Sequence, residues 1–418
     1  MLYERWSEIA KTHSAEWALR EPARTWTFGE LWEAGEVRAT ECNGVAFPQG
    51  NGAEFIVSLL AAWREKGAAC PLEAGQARPN IAALPDNCAH VKITSGTGGH
   101  ARHILFTGSQ LAADADNIVA TMGLRADWPN LGIISLAHSY GFSNLVLPLL
   151  LHGIPLVLTT APLPEMVRQA AKEYASITIA AVPAIWRALH SADAIPPGTR
   201  LAISAGAPLP LELELEVFRS RGLKLHNFLG STECGGIAYD ATATPRADAA
   251  LAGTPLRNVG LSVHESGCLT IQGRAVGETY WPEPLESLRN GTFQTSDLAE
   301  LKGDEVYLRG RMGDQINVAG RKLSPEAVER VLLAHPEVRE CLVLGVPSRN
   351  AERMDTIVAV VVSQAPEAEL KEFLLASLPA WQVPRFWKFV PAIALNSRGK
   401  PSRADWRQRL VADDSALR

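Results

Sequence analysis

The sequence is poor in the features that would tie it to a zinc site, a secreted scaffold or a membrane. Six cysteines (Cys42, Cys70, Cys88, Cys234, Cys268 and Cys341) are scattered over 418 residues, and no two stand as C-x-x-C. That spacing argues against a zinc site and a dense disulfide framework, and it fits a reducing compartment. No apolar run approaches the roughly 18 residues of a membrane span; the longest, Leu145 to Leu151, is followed by His152 and Gly153. The start of the chain, Met1-Leu2-Tyr3-Glu4-Arg5-Trp6, lacks the apolar core of a signal peptide. A cytoplasmic protein without a membrane span is expected. Excess positive charge is missing too. Forty Lys and Arg stand against 45 Asp and Glu, a formal net charge of −5, which leaves no basic footprint for nucleic acid. Internal repeats and low-complexity tracts are absent, and no G-x-x-x-x-G-K-[ST] motif occurs.

What is present is an ordinary globular composition, 47% hydrophobic and 20% charged, at a length that allows more than one domain. Thr27 opens a capped helix toward residue 40, and Val45-Ala46-Phe47 reads as a strand. Residues 51–66 carry Phe55, Ile56, Leu59, Leu60 and Trp63 on one helical face. Gly67 ends that helix, and Ala68 to Leu72 returns to a strand. This β-α-β rhythm predicts a parallel sheet with right-handed crossovers. It continues through a helix at 108–122, a buried strand at 132–136, an apolar helix at 143–152 and a strand at 156–158. A helix at 164–174, strands at 176–179 and 200–204, a Glu-rich helix at 210–221 and a strand from 223 complete the series. From residue 250 short strands dominate (261–263, 268–271, 305–308), which suggests a small antiparallel sheet or barrel. Gly310 to Asp314 is a candidate linker. Beyond it, a helix at 325–334, strands at 342–344 and 356–362 and a helix at 367–378 predict a compact α+β domain.

The stretch that stands out is Thr94-Ser95-Gly96-Thr97-Gly98-Gly99-His100-Ala101-Arg102-His103, which follows a strand-like run, Ala89 to Ile93. Glycines let backbone N–H groups approach an anion, and successive amides in a turn form an anion-binding nest. Ser and Thr hydroxyls add donors, and Arg102 adds a cation. Read alone, the stretch is equally an ordinary Ser/Gly surface loop.

Six further segments, in order, resemble those of the AMP-forming adenylate enzymes: acyl- and aryl-CoA synthetases, luciferase and peptide-synthetase adenylation domains. The glycine stretch is similar to their phosphate loop, T-S-G-T-T-G-x-P-K-G. Ala137 to Gly141 resembles the segment beside the acyl pocket, and Ser204 to Leu209 the segment against adenine. Asn227-Phe228-Leu229-Gly230-Ser231-Thr232-Glu233 is similar to N-x-Y-G-x-T-E. Gly291 to Asp297 is similar to G-W-x-x-T-G-D. Gly310-Arg311 through Lys322 resembles the hinge segment, and Asn396 to Lys400 the terminal G-K.

The resemblance implies two domains. Residues 1–311 would be an α/β ATP- and carboxylate-binding domain of parallel sheets with flanking helices plus the small sheet or barrel. Residues 312–418 would be a mobile α+β domain carrying Lys400. It implies an ATP-dependent ligase that forms an acyl- or aryl-AMP, then a thioester on coenzyme A or a carrier-protein phosphopantetheine, with a small carboxylic acid as partner. Nucleotide contacts fall on Thr94, Ser95, Gly96, Thr97, Gly98, Gly99, Ala205, Gly206, Ala207, Asn227, Phe228, Leu229, Gly230, Ser231 and Thr232. Thr97 and Glu233 offer hard oxygens for Mg²⁺ on the phosphates. Asp297, an acceptor-only carboxylate, would take the ribose hydroxyls, with Arg311 beside it; read alone these are a turn aspartate and a linker charge. Lys400 and Arg102 would stabilise charge during adenylation, although Lys400 alone reads as a solvated tail lysine. His138 would gate the acyl site or be a core histidine. His138, Phe142, Ala205, Gly235, Gly236 and Ile237 would line the acyl pocket, where paired glycines leave room for an aryl or medium acyl group. Gly313 would be the hinge, and Gly320 and Lys322 would face the thiol. Trp63, Trp186 and Trp281 read as packing residues.

The sequence also departs from the family pattern. Arg102 stands at the loop lysine, Gly98 at the second threonine, Ala101 at the proline and His103 at the glycine. Leu229 replaces the aromatic of N-x-Y-G, Ser296 the glycine of T-G-D, and the short distance from Leu72 to the loop suggests a trimmed N-terminal subdomain. Two alternatives stay open: a catalytically degenerate nucleotide- or acyl-binding protein, and an enzyme that hands the acyl-AMP to another acceptor.

Overall fold

The computed structural model describes residues 1–39, 44–81, 83–94, 102–348, 354–394 and 402–412. Its largest element is a 14-stranded mixed sheet. The parallel half runs Trp17–Arg20, Leu156–Leu158, Asn130–Gly132, Ile177–Ala181, Thr199–Ser204 and Leu225–Ser231. At Leu225–Ser231 the direction changes, and Gly235–Tyr239, Leu251–Pro255, Glu305–Arg311, Thr292–Lys302, Cys268–Gln272 and Gly260–Val263 follow antiparallel. The small sheet expected after residue 250 is therefore paired edge-on to the parallel sheet through Gly235–Tyr239. A second, five-stranded sheet has Val45–Ala46, Ala68–Ala69 and Cys88–Thr94 in parallel, with Arg102–Thr107 and Thr279–Trp281 added antiparallel. The connection from Ala69 to Cys88 carries no helix among its described residues.

Local signals set several boundaries. Helix Gly108–Met122 starts at a Thr107–Gln110 capping box and stops at Gly123, whose φ of 69° is left-handed. Helix Phe28–Val37 starts at a Thr27–Glu30 box. The strand expected at 132–136 lies instead at Asn130–Gly132. The reason is that Ile133 and Leu136 remain buried after the chain leaves the sheet, so the apolar run outlasts the pairing. Leu136 then donates its N–H to Asn51 Oδ1 at 2.8 Å rather than to a neighbouring strand. The apolar helix expected at 143–152 begins as a π-helical turn, Phe142–Val146, before Leu147–His152; π turns recur at functional sites.

Beneath the end of the parallel sheet lies a four-residue charge network that the Glu-rich helix pattern did not reveal. Glu214 on helix Leu211–Arg221 is fully buried (0% exposed) and pairs with Lys224 and Arg246. Lys224 Nζ also donates to Asp240 Oδ2 at 2.6 Å. Arg246 donates further to Leu209 O and Leu251 O, both at 2.8 Å. Two cations and two anions are thus neutralised, with their donors spent on named acceptors, as burial of charge requires.

The C-terminal part has its own core, built on Val328, Leu332, Val343, Ala359, Val361, Leu370 and Leu374. Helices Pro325–Leu333 and Glu367–Leu375 accompany a three-stranded sheet of Val338–Pro347, Asp355–Ser363 and Phe386–Phe389. The last helix, Arg403–Ala412, covers the opposite face through Trp406 and Leu410.

Removing one member of the buried network leaves an uncompensated charge. Glu214→Ala should lower unfolding stability by about 3–5 kcal/mol, read from the shift of the urea midpoint, while the exposed Glu216→Ala should stay within about 0.5 kcal/mol.

Candidate active site

Strands Cys88–Thr94 and Arg102–Thr107 pair with Thr94 opposite Arg102, so the two ends of the glycine loop sit side by side. Ser95, Gly96, Thr97, Gly98 and Gly99 lie outside the described residues, as does Lys400. On the far side of Arg102–Thr107 comes Thr279–Trp281, with Tyr280 opposite Ile104. The Arg102 guanidinium lies 5.6 Å from the Tyr280 ring centroid, and the Tyr280 hydroxyl donates to Glu233 Oε1 at 3.1 Å. Burial and the neighbouring Glu233 push the Tyr280 phenol far up, so it stays a donor. Glu233 is held by its backbone as well. Its carbonyl accepts Gly277 N–H at 2.8 Å, and its N–H donates to Ser231 Oγ at 3.2 Å. The loop's cation and the candidate metal ligand, 131 positions apart by residue number, are therefore joined through Tyr280. Tyr280 was not among the sequence candidates; a tyrosine in a short strand carries no local mark of such a role.

On the nucleotide side, Ala205 is buried while Gly206 and Ala207 are exposed, and Gly206 has a left-handed φ of 82°. Phe228 is buried against Tyr140, ring centroids 6.0 Å apart, and Leu229 points to the other face of its strand. Tyr140 ties the segment after His138 to the parallel strands, donating to Ile203 O at 3.2 Å. Asn227 donates from Nδ2 to Leu251 O and Ala252 O, both at 3.3 Å. Gly230 is exposed, and Ser231 and Thr232 are half-buried.

Asp297 and Arg311 stand opposite each other on neighbouring strands, with Arg311 Nε donating to Asp297 Oδ1 at 2.8 Å. The Arg311 side chain is 60% exposed and that of Asp297 20%. Asp297 beside it raises the Arg311 guanidinium. The candidate linker thus begins later than the sequence suggested: Gly310 and Arg311 belong to strand Glu305–Arg311, and the 3-10 turn Met312–Asp314 follows.

The acyl side needs the largest correction. The paired glycines do not leave room for a substrate group. A Cβ at Gly235 would lie 2.1 Å from Asp114 Oδ1, and one at Gly236 2.4 Å from Leu256 Cδ2. The space is filled by the Asp114 carboxylate, which accepts Gly236 N–H at 2.9 Å and the Ser143 hydroxyl at 2.6 Å. Ile237 is buried in the same strand. Phe142 is 1% exposed and packs on the His90 ring, centroids 4.3 Å apart. His138, by contrast, is exposed, which removes the core-histidine reading. It caps the next turn, its Nδ1 accepting Tyr140 N–H at 3.3 Å.

In the C-terminal part, Ala319 and Gly320 (φ 52° and 83°) form a two-residue hairpin turn between Ile316–Val318 and Arg321–Leu323. Gly320 and Lys322 are exposed at its tip. Gly313 is exposed with open space at its Cβ position. Arg403 donates to Asp314 Oδ2 at 2.8 Å and pairs with both oxygens of Glu329 at 2.8 and 2.7 Å.

The AMP-binding enzyme family model matches residues 76–281, and the AMP-binding enzyme C-terminal domain model matches residues 327–400. The chain belongs to the AMP-forming adenylate enzymes. It is 27% identical over 381 residues to a feruloyl-CoA synthase of an Amycolatopsis species, covering 85% of this chain and 77% of that one. With a 2-succinylbenzoate–CoA ligase of Bacillus licheniformis it shares 28% over 334 residues, 76% of this chain and 69% of the other. Its fold matches o-succinylbenzoate CoA synthetase of Bacillus subtilis, solved with the acyl-adenylate OSB-AMP, at a TM-score of 0.82 and 21% identity, over 96% of this chain and 97% of that one.

A divalent cation on bound phosphates would need few protein ligands, and the residues present fit that. Among the described residues no group of three or more His, Cys, Asp or Glu gathers into a cage. Glu233, half-buried and held at three atoms, offers a single hard carboxylate. That suits a Mg²⁺ completed by phosphate and water oxygens.

Burial and the nearby Lys92 hold His90 well below its ordinary 6.5. Below pH 6.5 the unfolded chain binds a proton there that the native state refuses, so stability is full above 6.5 and falls as pH drops. The slope is at most about 1.4 kcal/mol per pH unit for one group. Denaturant unfolding at pH 7.5 and 5.5 should show this loss, and His90→Phe should reduce it; an unchanged loss would place the titration on other histidines.

Proposed function

We propose that this chain is an ATP-dependent, AMP-forming acid–thiol ligase whose acceptor is coenzyme A. A carboxylate oxygen of the acid attacks the α-phosphorus of ATP, the bond from that phosphorus to the β-bridging oxygen breaks, and pyrophosphate leaves. A thiol sulfur then attacks the acyl carbon of the mixed anhydride, its proton is lost and AMP departs. The protein's part is positioning and charge neutralisation. The observation that carries the reading is the Arg102–Tyr280–Glu233 chain at the mouth of the glycine loop. It supplies one cation for the phosphates and one carboxylate for their Mg²⁺ within a single contact chain.

In this reading the amides and hydroxyls of Thr94 to Gly99 cradle the phosphates. Asp297, oriented by Arg311, takes the ribose hydroxyls. Ala205 to Ala207 and Asn227 to Thr232 flank the adenine, with apolar contact from Leu229 in place of ring stacking. His138, exposed at its turn, stands between the acyl site and the thiol's approach. The N-terminal unit ends at Arg311, and residues 312–418 turn about Gly313, a hinge-type change. Lys400 serves the adenylating pose, and the hairpin tip with Gly320 and Lys322 meets the thiol in the other. The connection between Ala69 and Cys88, without a helix among its described residues, supports a trimmed N-terminal subdomain. The phosphopantetheine arm of a carrier protein ends in the same thiol and is the alternative acceptor.

ATP–pyrophosphate exchange across a panel of aryl and short acyl acids tests the reading. Exchange with at least one acid is expected, followed by thioester formation with coenzyme A. Intact ATP binding without exchange for any acid would point to a binding protein. Lys400→Ala should slow exchange by roughly 10²–10³-fold and spare thioester formation from supplied acyl-AMP; equal loss in both half-reactions would remove the assignment.

A further inference from the structure

Strand Cys88–Thr94 leads into the glycine loop, and its bulged face presents His90, Lys92 and Thr94 in turn. Lys92 is 4% exposed, and its Nζ has no hydrogen-bond partner among the described residues. A buried ammonium without a bonded acceptor is costly, and natural proteins seldom keep one without use. Its surroundings define where it looks. Nζ lies 4.5 Å from the Phe106 ring, a cation–π contact that offers it no lone pair; burial works against its charge, and the carboxylates of Asp114 and Glu233 favour it. Glu233 belongs to the phosphate side. Asp114 belongs to the acyl side, where it fills the room beside Gly235. Lys92 therefore stands at the junction of the two, one step from the loop along its own strand.

Asp114 does not serve as the missing acceptor. One of its oxygens takes Gly236 N–H and the other the Ser143 hydroxyl, and it forms no ion pair with Lys92 within 4.0 Å. It balances the charge of Lys92 at longer range and leaves the donors of the ammonium unspent. His90, next along the strand, is 1% exposed, and its Nδ1 is also without a partner. Two buried nitrogens without a hydrogen-bond partner thus lie on one strand face, under Phe106 and Phe142 and beside the wall that Asp114 closes.

We infer that Lys92 is a specificity-determining residue, donating a hydrogen bond to the tail of the bound acid. The substrate is then a compact carboxylic acid whose far end carries an acceptor (a hydroxyl, a carbonyl or a second carboxylate) and not a plain hydrocarbon acid. The inference rests on the ligase reading above and names its substrate class. With Asp114 present, Lys92 brings no net positive charge, so a neutral acceptor serves as well as an anion. A site built to bond a polar group rejects the analogue lacking it strongly, because its own buried donor is left unpaired.

The test is ATP–pyrophosphate exchange with matched pairs: benzoate against 4-hydroxybenzoate, and butyrate against succinate and acetoacetate. In each productive pair the wild type should favour the acid bearing the acceptor by roughly ten- to hundredfold in kcat/KM. The two arms separate neutral from anionic acceptors. Lys92→Met, close in length and apolar, should bring that ratio to within about threefold, chiefly by losing activity on the polar acid. A wild type that prefers the hydrocarbon member of every pair overturns the inference without need of a variant. An equal loss on both members in Lys92→Met also overturns it, because Lys92 would then serve the reacting carboxylate or the phosphates. Absence of exchange with all acids is distinct from either result, and it removes the ligase reading and this inference together.

Discussion

The carboxylate of Asp114 occupies the place of a side chain that strand Gly235–Tyr239 does not have. Its Oδ1 stands where a Cβ at Gly235 would fall, and it accepts the N–H of Gly236. Its Oδ2 accepts the hydroxyl of Ser143 in the π-helical turn. One buried acid thus fastens helix Gly108–Met122, the turn after His138 and the strand that follows Glu233. The helix starts directly after strand Arg102–Thr107, so the spacing between Arg102 and Glu233 is fixed from both sides. The same strand register brings Tyr280 between them. A residue with any side chain at position 235 would have to displace the carboxylate or the strand, and its positive φ of 68° adds strain for anything but glycine. The two glycines serve the architecture of the site, and the substrate gains no volume from them.

Two buried charge systems lie in the N-terminal part, and they differ in one respect. Around Glu214 the anions are bonded to Lys224, Arg246 and Thr242. Such closure describes a fastening, and it lies behind Asn227, whose amide shares the acceptor Leu251 O with Arg246. Around Asp114 the anion is satisfied, and the cation has only the face of Phe106 and no hydrogen-bond acceptor among the described residues. Incomplete satisfaction in the interior is expensive, and it concentrates where a ligand completes the set.

Much of the fold could be read from local signals because those signals are local in cause. The Thr107–Gln110 box and the left-handed Gly123 delimit a helix without reference to anything outside it. The ends of the glycine loop, Glu233, and the opposed Asp297 and Arg311 were likewise visible as motifs. Buried charge was not. Glu214 sits in a helix whose pattern of alternating Leu and Glu reads as a solvated face, and Lys92 sits in a run that reads as a half-exposed strand. Whether such a residue faces water is decided by what packs over it, here residues 224, 240 and 246 in one case and helix Gly108–Met122 in the other. Gly235 and Gly236 misled for the same reason: a missing side chain announces space, and only the fold shows that Asp114 fills it. The strand end at Gly132 was misplaced because burial and strand pairing part company there.

The hinge segment shows the same separation between a residue's permissiveness and its constraint. Gly313 sits in open space and needs no glycine in this pose. The constrained glycine is Gly310, three residues earlier, with φ of 107° and a Cβ position 2.0 Å from Ser324 Oγ. Asp314 is clasped by Arg403, which is itself paired with Glu329 in the C-terminal core. Burial opposes charge on Arg403, but Glu329, Glu326 and Asp314 outweigh it and hold the guanidinium firmly ionised. Asp314 is therefore tied to the C-terminal core, and one contact across the segment is that between Gly310 and the Ser324–Glu326 turn. For the rotation proposed about Gly313, that contact has to open while the Arg403 clasp travels intact. Gly313 has open space around it, and at Gly310 the absence of a side chain lets the start of helix Pro325–Leu333 close against the strand.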